Sequence, residues 1–363
     1  MTTDSGTVET GTTDTGVRAS IRPSFQYGRW APIAAMVLLI VLLGGYTNNR
    51  DSAFLSEFNL NGVMVATLPL ALAAMAQTSA LMVKAFDVSV GALITLCVVV
   101  ASFVLGPDES WPSMILGMLF VIAVALGVGA VNVALIRWLK LSSIIATLAT
   151  YSALQGVCLW LRPQPKGTIS FEFIDKLLYS VGFLPISLIV VALIAIGADI
   201  WLYRTSGGLA ARAMGLDEES AARRGVRVGY LFVRAFFITA FAAAFGGFFL
   251  AAQVGIGDPT AGLSFTLTSI AAAVLGGASL LGGRGSFIGA LVGALFLNVI
   301  INILPFLGWS ASYGRIMVGL LTLAALSFYQ APELIRRAKT SIANMRLARG
   351  GSGGLADAAA EGA

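Results

Sequence analysis

One stretch of this chain, residues 208–225, GLAARAMGLDEESAARRG, is dense in charge and set between two long apolar runs. Its spacing fits a short interfacial helix over Leu209–Val226. Asp217 stands where an N-cap belongs, Glu218 and Glu219 oppose the positive end of the helix dipole, and Glu219 and Arg223 are an i,i+4 pair. A surface of this kind satisfies a polar partner; it does not break bonds. The competing reading is an ordinary charged helix in a loop between spans. Covalent chemistry finds little support elsewhere. The chain has no histidine, so an H-E-x-x-H metal site is impossible, and no G-x-x-x-x-G-K-[ST] phosphate loop, so it is not expected to hydrolyse ATP itself. Gly282-Gly-Arg-Gly285 looks suited to phosphate but lacks the lysine and the preceding strand, and reads as a tight turn. Asp87 and Asp199 are the aspartates at the edges of apolar runs, too few for a paired-acid protease site. Cys97 and Cys158 both lie within apolar runs, which argues against a disulfide framework or a zinc site.

The elements that must position the island are membrane spans. Of 363 residues, 57% are hydrophobic and 11% charged, against roughly 25% charged in average soluble chains. Runs of about 20 apolar residues cross a hydrocarbon core of about 30 Å, and these runs lack the alternation of barrel strands. The expected fold is therefore an all-α polytopic membrane protein of about ten transmembrane helices. The spans fall near 30–46, 60–83, 90–105, 113–136, 142–161, 183–203, 229–252, 264–281, 286–304 and 313–330. The third and eighth are short and flanked by glycine, as broken or re-entrant elements lining a cavity would be. Residues 1–28 read as a disordered cytoplasmic tail, 29–335 as the transmembrane domain, with the charged segment 208–226 inside it, and 336–363 as a second cytoplasmic tail. The first apolar run begins too far into the chain for a cleaved signal peptide.

Loop charge tests this topology. With the N-terminus inside, the outer side keeps only Arg50, Arg162, Lys166, Lys176 and Arg315 of the 23 basic residues. That bias places both termini and the island in the cytoplasm and accounts for the net charge of +5 without nucleic acid. Ionisable residues are scarce within the spans. Asp199, Arg234 and Arg315 lie near span ends and are expected to snorkel, which leaves little machinery for ion coupling.

Uncharged polar residues within the spans are the pathway candidates: Asn61, Gln77, Thr78, Ser79, Asn132, Thr147, Tyr151, Gln155, Thr268, Ser269, Asn298 and Asn302, joined by Asp87 and Ser89 at a span edge. Interhelical hydrogen bonding is the competing role for each. Lys84 beside Asp87 reads as a local ion pair. Gly127, Gly129, Gly246, Gly247, Gly276, Gly277, Gly289 and Gly293 mark close helix contacts, and Gly289-x-x-x-Gly293 has the spacing of a packing seam. A short echo, h-G-A-L-h at 90–94 and 288–292, is compatible with an internal repeat.

Arg212-Ala-Met-Gly-Leu-Asp-Glu-Glu-Ser-Ala-Ala-Arg-Arg-Gly225 resembles the coupling segment of ribose-type permeases of ABC importers, usually near R-A-I-G-G-N-E-E-A-A-R-x-x-G. Further matches follow in the family's order. Phe86-Asp-Val-Ser-Val-Gly-Ala92 is similar to its I-D-L-S-V-G-A/S, and Ile145-Ala-Thr-Leu-Ala-Thr150 to its F-I-A-T-L-G-T. Ser269–Leu280 with Gly282-Gly-Arg-Gly285 is similar to its A-I-A-A-V-V-I-G-G-T-S-L-x-G-G-x-G. Together they cover about residues 60–330.

The resemblance implies a type II-like ABC importer permease architecture in the bacterial inner membrane. It also implies a second permease subunit, identical or paralogous, two cytoplasmic ATPase subunits that carry ATP and Mg, an extracytoplasmic solute-binding protein, and no cofactor on this chain. Arg212, Gly215, Asp217, Glu218, Glu219, Ala222 and Arg223 would form the ATPase-docking surface, with Gly215 permitting close backbone approach and the charges fixing register. The implied cargo is a monosaccharide or related polyol, with autoinducer 2 or nucleosides as other small solutes. Two departures stand out: Lys84-Ala-Phe-Asp87 replaces the common G-G-I-D, and Leu263-Ser-Phe-Thr-Leu-Thr268 replaces a run containing G-Y-E-L-D. The second loses two acids. A stand-alone secondary transporter or channel is the alternative function, distinguished by whether uptake needs an ATPase.

Overall fold

The computed structural model describes residues 27–310, 312–314, 316–320 and 323. The expected tails, Arg315 and most of the tenth expected span lie outside the described residues. In chain order the helices are α1 (Tyr27–Arg50), α2 (Glu57–Met82), α3 (Val90–Val104), α4 (Trp111–Arg137), α5 (Ser143–Leu161), α6 (Phe171–Leu178), α7 (Ile186–Arg204), α8 (Ser206–Leu216), α9 (Glu218–Arg223), α10 (Val228–Val254), α11 (Phe265–Leu275) and α12 (Phe287–Phe306). Among the described residues, seven are long and apolar enough to cross a membrane, namely α1, α2, α4, α5, α7, α10 and α12, and α3 and α11 are the shorter apolar pair. The protein is thus an all-α polytopic bundle, and the two short expected spans are short helices. Among the described residues, strand pairing is confined to two small antiparallel ladders, Lys166–Thr168 with Ile256–Gly257 and Ser180–Val181 with Leu184–Pro185.

Burial separates a core from a periphery. Over their most apolar stretches α10, α12 and α2 are 72%, 61% and 56% buried, against 22–28% for α1, α4, α5 and α7. α2 is the hub: it packs on α10, α11 and α12, and is buried all round from Thr67 to Met82. Small residues make this fit. Ala71, Ala73, Ala74, Ala76 and Ala80 are fully buried on α2, and two hydroxyls clip it to α10, Thr239 Oγ1 to the Ala76 carbonyl at 3.0 Å and Ser79 Oγ to the Ala235 carbonyl at 3.1 Å. A helix apolar on every side has no other stable place than the interior of the bundle. The peripheral helices instead turn large aliphatic side chains outward, such as Leu116, Leu119 and Phe120 on α4.

The Gly289-x-x-x-Gly293 seam forms as expected. A methyl group on Gly289 would overlap the Gly276 backbone, and one on Gly293 the Ala272 carbonyl, so α12 and α11 meet backbone to backbone. Gly129 and Gly247 likewise mark close approaches, to Ala240 and Cys97. Gly127 does not, since nothing stands within 4 Å of a Cβ placed there.

α11 carries only half a crossing. Its 11 residues rise about 16 Å, roughly half of a hydrocarbon core. The remainder is unwound chain running alongside α3. Gly257 abuts Ser102, the Gly262 amide donates to Thr95 Oγ1 at 3.1 Å, and Thr266 lies against Gly91. Irregular backbone at this depth is tolerated only where protein buries it or water reaches it.

Candidate functional site

The charged island is a helix pair, not the single helix expected over Leu209–Val226. Asp217 is extended, at φ −153° and ψ 105°, and it closes α8 and opens α9. Its carboxylate accepts from the Glu219 and Ser220 amides at 3.1 and 3.2 Å and from Ser220 Oγ at 2.6 Å. The Ser220 hydroxyl, then its amide, hold the Asp217 carboxyl below its ordinary value. The N-cap and the Glu219–Arg223 pair, at 2.6 Å, are present as the spacing predicts. Glu218 turns to a residue that sequence reasoning missed: it pairs at 2.6 Å with Arg137 in the last turn of α4. The Arg137 guanidinium also stacks over Phe232 at 4.2 Å. Eighty-one positions separate this pair, and no local spacing could have announced it.

α8 is fixed to the bundle through Gly215. A Cβ there would overlap the Met82 carbonyl and the Gly283 backbone. Gly282 and Gly283 have φ of +86° and +71°, which confirms the tight-turn reading of residues 282–285 and suits glycine. The Gly283 amide donates to the Met82 carbonyl at 3.1 Å, so the end of α2, the end of α8 and the turn before α12 form one joint. Two side chains of α7 tighten it. Tyr203 donates to the Gly285 carbonyl at 2.8 Å, and Asp199 accepts from Ser286 Oγ and the Phe287 amide, both at 2.7 Å. Asp199 is therefore buried at the start of α12 and does not snorkel, because a helix N-terminus offers it donors that the interface would have supplied. Arg212 stacks over Tyr203 at 4.5 Å, whereas Ala222 and Arg223 are exposed.

The pathway candidates divide by partner. Thr150, Asn132, Ser89 and Asp87 form a buried relay: Thr150 Oγ1 donates to Asn132 Oδ1 at 2.6 Å, Asn132 Nδ2 to Ser89 Oγ at 2.9 Å, and Ser89 Oγ to Asp87 Oδ1 at 2.5 Å. It ties α5 and α4 to the segment before α3. Lys84 takes no part. It is exposed at φ +59° beyond the end of α2, whereas Asp87 is buried, and the expected ion pair does not form. Thr147 accepts from the Val88 amide at 3.1 Å, and Thr78 donates to the Ala74 carbonyl at 2.8 Å. Asn302 and Asn59 exchange amide hydrogen bonds at 2.9 and 3.1 Å. Asn298 donates to the Ala66 carbonyl at 3.3 Å, and Asn61 to Ser180 Oγ at 2.8 Å.

The rest gather near the unwound crossing. Gln155 Nε2 donates to the Pro259 carbonyl at 3.3 Å while its Oε1 is buried without a partner. Thr268 and Ser269 bond back into the chain, to the Ser264 and Thr266 carbonyls at 2.8 and 3.2 Å. Gln77 is fully buried with neither amide atom partnered. It shares a face of α2 with Leu81, which packs on Ala273 of α11. Tyr151, half-buried, packs against a different cluster, built on α3 and α10 with Leu154 of its own helix. Asp258, Thr260 and Ser264 were not singled out by sequence. Asp258 holds the turn through the Thr260 amide and hydroxyl, both at 2.8 Å, and Thr260 and Ser264 are exposed. Gly257-Asp-Pro259 ahead of Gly262 was the available signal, a cluster of breakers just before a short span.

A polytopic helical bundle with a charged helical island welded to its core and an unwound polar crossing has the parts of a transport subunit. The comparisons name its family. Residues 59–326 match the family described as branched-chain amino acid transport system / permease component, and the chain belongs to that family. It is 34% identical over 307 residues to the autoinducer 2 import system permease protein LsrC of Salmonella paratyphi B, covering 81% of this chain and 85% of that one. It is 33% identical over 309 residues to the protein of that name from Escherichia coli O9:H4, covering 82% and 85%, and 33% identical over 309 residues, with the same coverage, to that of Shigella flexneri. The chain is accordingly a multi-pass permease subunit of an ATP-binding-cassette importer, and the reading as a stand-alone transporter or channel is set aside.

Proposed function

We propose that this permease moves a small neutral polyhydroxylated solute inward across the bacterial inner membrane, a monosaccharide or related polyol, with autoinducer 2 within that class. The observation that carries the reading is the unwound crossing at 257–264, whose neighbouring groups are amides and hydroxyls: Gln155, Thr260, Ser264 and Thr268. Such groups match hydroxyls, and the carboxylate within the segment, Asp258, is engaged by the Thr260 amide and hydroxyl and not held out for an amino acid's ammonium. The names of the relatives, autoinducer 2 permeases, support the same class. Gln77, Thr78, Asp87, Ser89, Thr147, Tyr151, Ser269, Asn61, Asn298 and Asn302 line or brace the route in this proposal.

In the same proposal two such permeases, identical or paralogous, stand beside each other. Two ATPase subunits hold ATP and Mg and dock on Arg212, Gly215, Asp217, Glu218, Glu219, Ala222 and Arg223, and a binding protein delivers solute from the other side. The island and both termini face the cytoplasm, and this chain binds no nucleotide. ATP-driven closure of the ATPases moves α8 and α9, and the Gly215 joint passes the motion to α2, α11 and α12. The test is reconstitution in proteoliposomes with and without the ATPase and binding protein, using labelled ribose and autoinducer 2. ATP-dependent uptake of either supports the proposal. Uptake of leucine in preference to both would overturn the cargo class, and uptake without ATPase would overturn the energy source.

A further inference from the structure

α7 and α10 flank the charged island, one leading into it and the other out, yet they lean on different neighbours. α7 packs on α2 and α12, whereas α10 packs on α2, α3 and α4. Between them runs a trench of about 680 Å³. Leu72 and Met75 of α2 form its floor, Val190 and Ile194 one wall, and Phe241 and Phe245 the other. Val190, Ile194 and Phe241 are also 49%, 53% and 48% exposed, so the trench opens sideways from the bundle toward the membrane. It extends along α10 from Leu231 to Phe249, which at 1.5 Å per residue is about 27 Å.

We infer that this trench is a phospholipid site, holding one acyl chain between α7 and α10 with the anionic headgroup of a lipid from the island-side leaflet on Arg234. Size and charge decide the occupant. The space available holds roughly twenty groups the size of a water or a methylene, which matches an acyl chain. Arg234 lies at the island end of the trench, half-buried, its guanidinium over the Trp201 ring at 4.4 Å. Among the described residues the ion pairs are Arg137–Glu218, Lys176–Glu172 and Arg223–Glu219, so no carboxylate neutralises Arg234. A guanidinium presents paired donors to a phosphate, and Trp201 is the residue type that settles at the boundary between headgroups and acyl chains. The inference goes beyond the transport reading and does not depend on the cargo.

The test begins with the wild-type permease in nanodiscs containing a photoactivatable phosphatidylglycerol, with crosslinked peptides mapped by mass spectrometry. Crosslinks concentrated on α7 and α10 at Ile194 and Phe245 are expected; a spread over the exposed faces of α4 and α5 with none in the trench overturns the site. Native mass spectrometry then compares variants in mild detergent. Arg234→Gln is expected to keep a bound phospholipid but lose about five-fold of the preference for phosphatidylglycerol over phosphatidylcholine. Ala242→Leu and Ala242→Trp, which fill the trench from α10, are expected to displace the lipid in that order of severity. Retained lipid in a folded Ala242→Trp variant overturns the inference, and so does an efficient disulfide between Ile194→Cys protein and a second permease copy, which would place a protein helix in the trench.

Discussion

Two regions of this bundle treat polar groups in opposite ways. At the island joint, Gly215, Gly282 and Gly283 bring three backbones together, the Met82 carbonyl is used, and the guanidiniums whose donors are not all filled, Arg137 and Arg212, lie over the rings of Phe232 and Tyr203. Near the unwound crossing, Gln77, the Oε1 of Gln155 and the hydroxyl of Thr266 are buried with no hydrogen-bond partner. Leaving such a group unpaired costs about 1–3 kcal/mol. A joint that transmits force benefits from having one arrangement. A pathway must exchange partners as solute passes, and groups already free of protein partners have none to give up. Under the proposed function, the difference would separate a transmitting region from a passing region within one small bundle.

The largest effect is expected from closing the joint. Gly215→Ala puts a methyl group into the Met82 carbonyl and the Gly283 backbone, neither of which is a flexible side chain. We expect a stability loss of about 1–3 kcal/mol or more and uptake reduced at least ten-fold in proteoliposomes. Gly127→Ala is the matched control. With nothing within 4 Å of its Cβ it should leave uptake unchanged and gain up to about 1 kcal/mol of stability through helix propensity. Equal losses in both variants would remove the distinction between a joint and an ordinary helix glycine.

The crossing predicts a change of opposite sign. Gln77→Leu replaces two unpartnered amide atoms with a side chain of similar size, so the melting temperature of the reconstituted protein should rise, by about 1–3 kcal/mol of stability, while uptake falls several-fold. A variant that loses both would show that Gln77 is a structural group whose partner forms in the native membrane.

At the island the charges themselves should matter less than the joint. Glu218→Lys places a lysine against Arg137 and breaks a pair whose arginine is only 27% exposed, whereas Glu219→Lys affects a pair exposed at 76% and 77%. Exposed pairs contribute little. ATPase pull-down should therefore weaken more in Glu218→Lys than in Glu219→Lys, the latter by only a few-fold.

Much of this arrangement was legible in the sequence, for reasons that also set the limits. Spans are written locally, as runs of apolar residues, so the long ones could be read to within a few residues, whereas the eighth, expected over 264–281, ends as a helix at Leu275 and most of the tenth lies outside the described residues. The cap at Asp217 and the Glu219–Arg223 pair are also local, set by helix geometry over four residues. Glu218–Arg137 is not local, and neither is the burial of Asp199 against Ser286, since both depend on which helices become neighbours. The break ahead of α11 lay between the two kinds of signal. Gly257, Pro259 and Gly262 announced that regular structure would stop, but not that the unwound chain would continue beside α3 at membrane depth. The polar residues proved hardest to sort, because Asn302 and Gln77 look alike in sequence and differ only in that Asn302 finds Asn59.

The smallest predicted effect tests whether the island's own fold is as firmly set as its joint. The Asp217 carboxyl is held below its ordinary value by the Ser220 hydroxyl and amide, so its folded-state pKa is depressed. The capping contribution is then fully present above the ordinary carboxylate range and is lost as pH falls through the lowered value. Asp217 is exposed, and the change should be confined to the first turn of α9. Hydrogen exchange at the Glu219 and Ser220 amides, corrected for the intrinsic effect of pH, should show protection at neutral pH that declines only in strong acid. Asp217→Asn should keep much of that protection and remove its pH dependence, because an asparagine oxygen caps nearly as well. Asp217→Ala should lose the protection at every pH. If Asp217→Asn instead behaves like Asp217→Ala, the carboxylate acts through its charge, and the island's first turn depends on the electrostatics of docking more than on the cap.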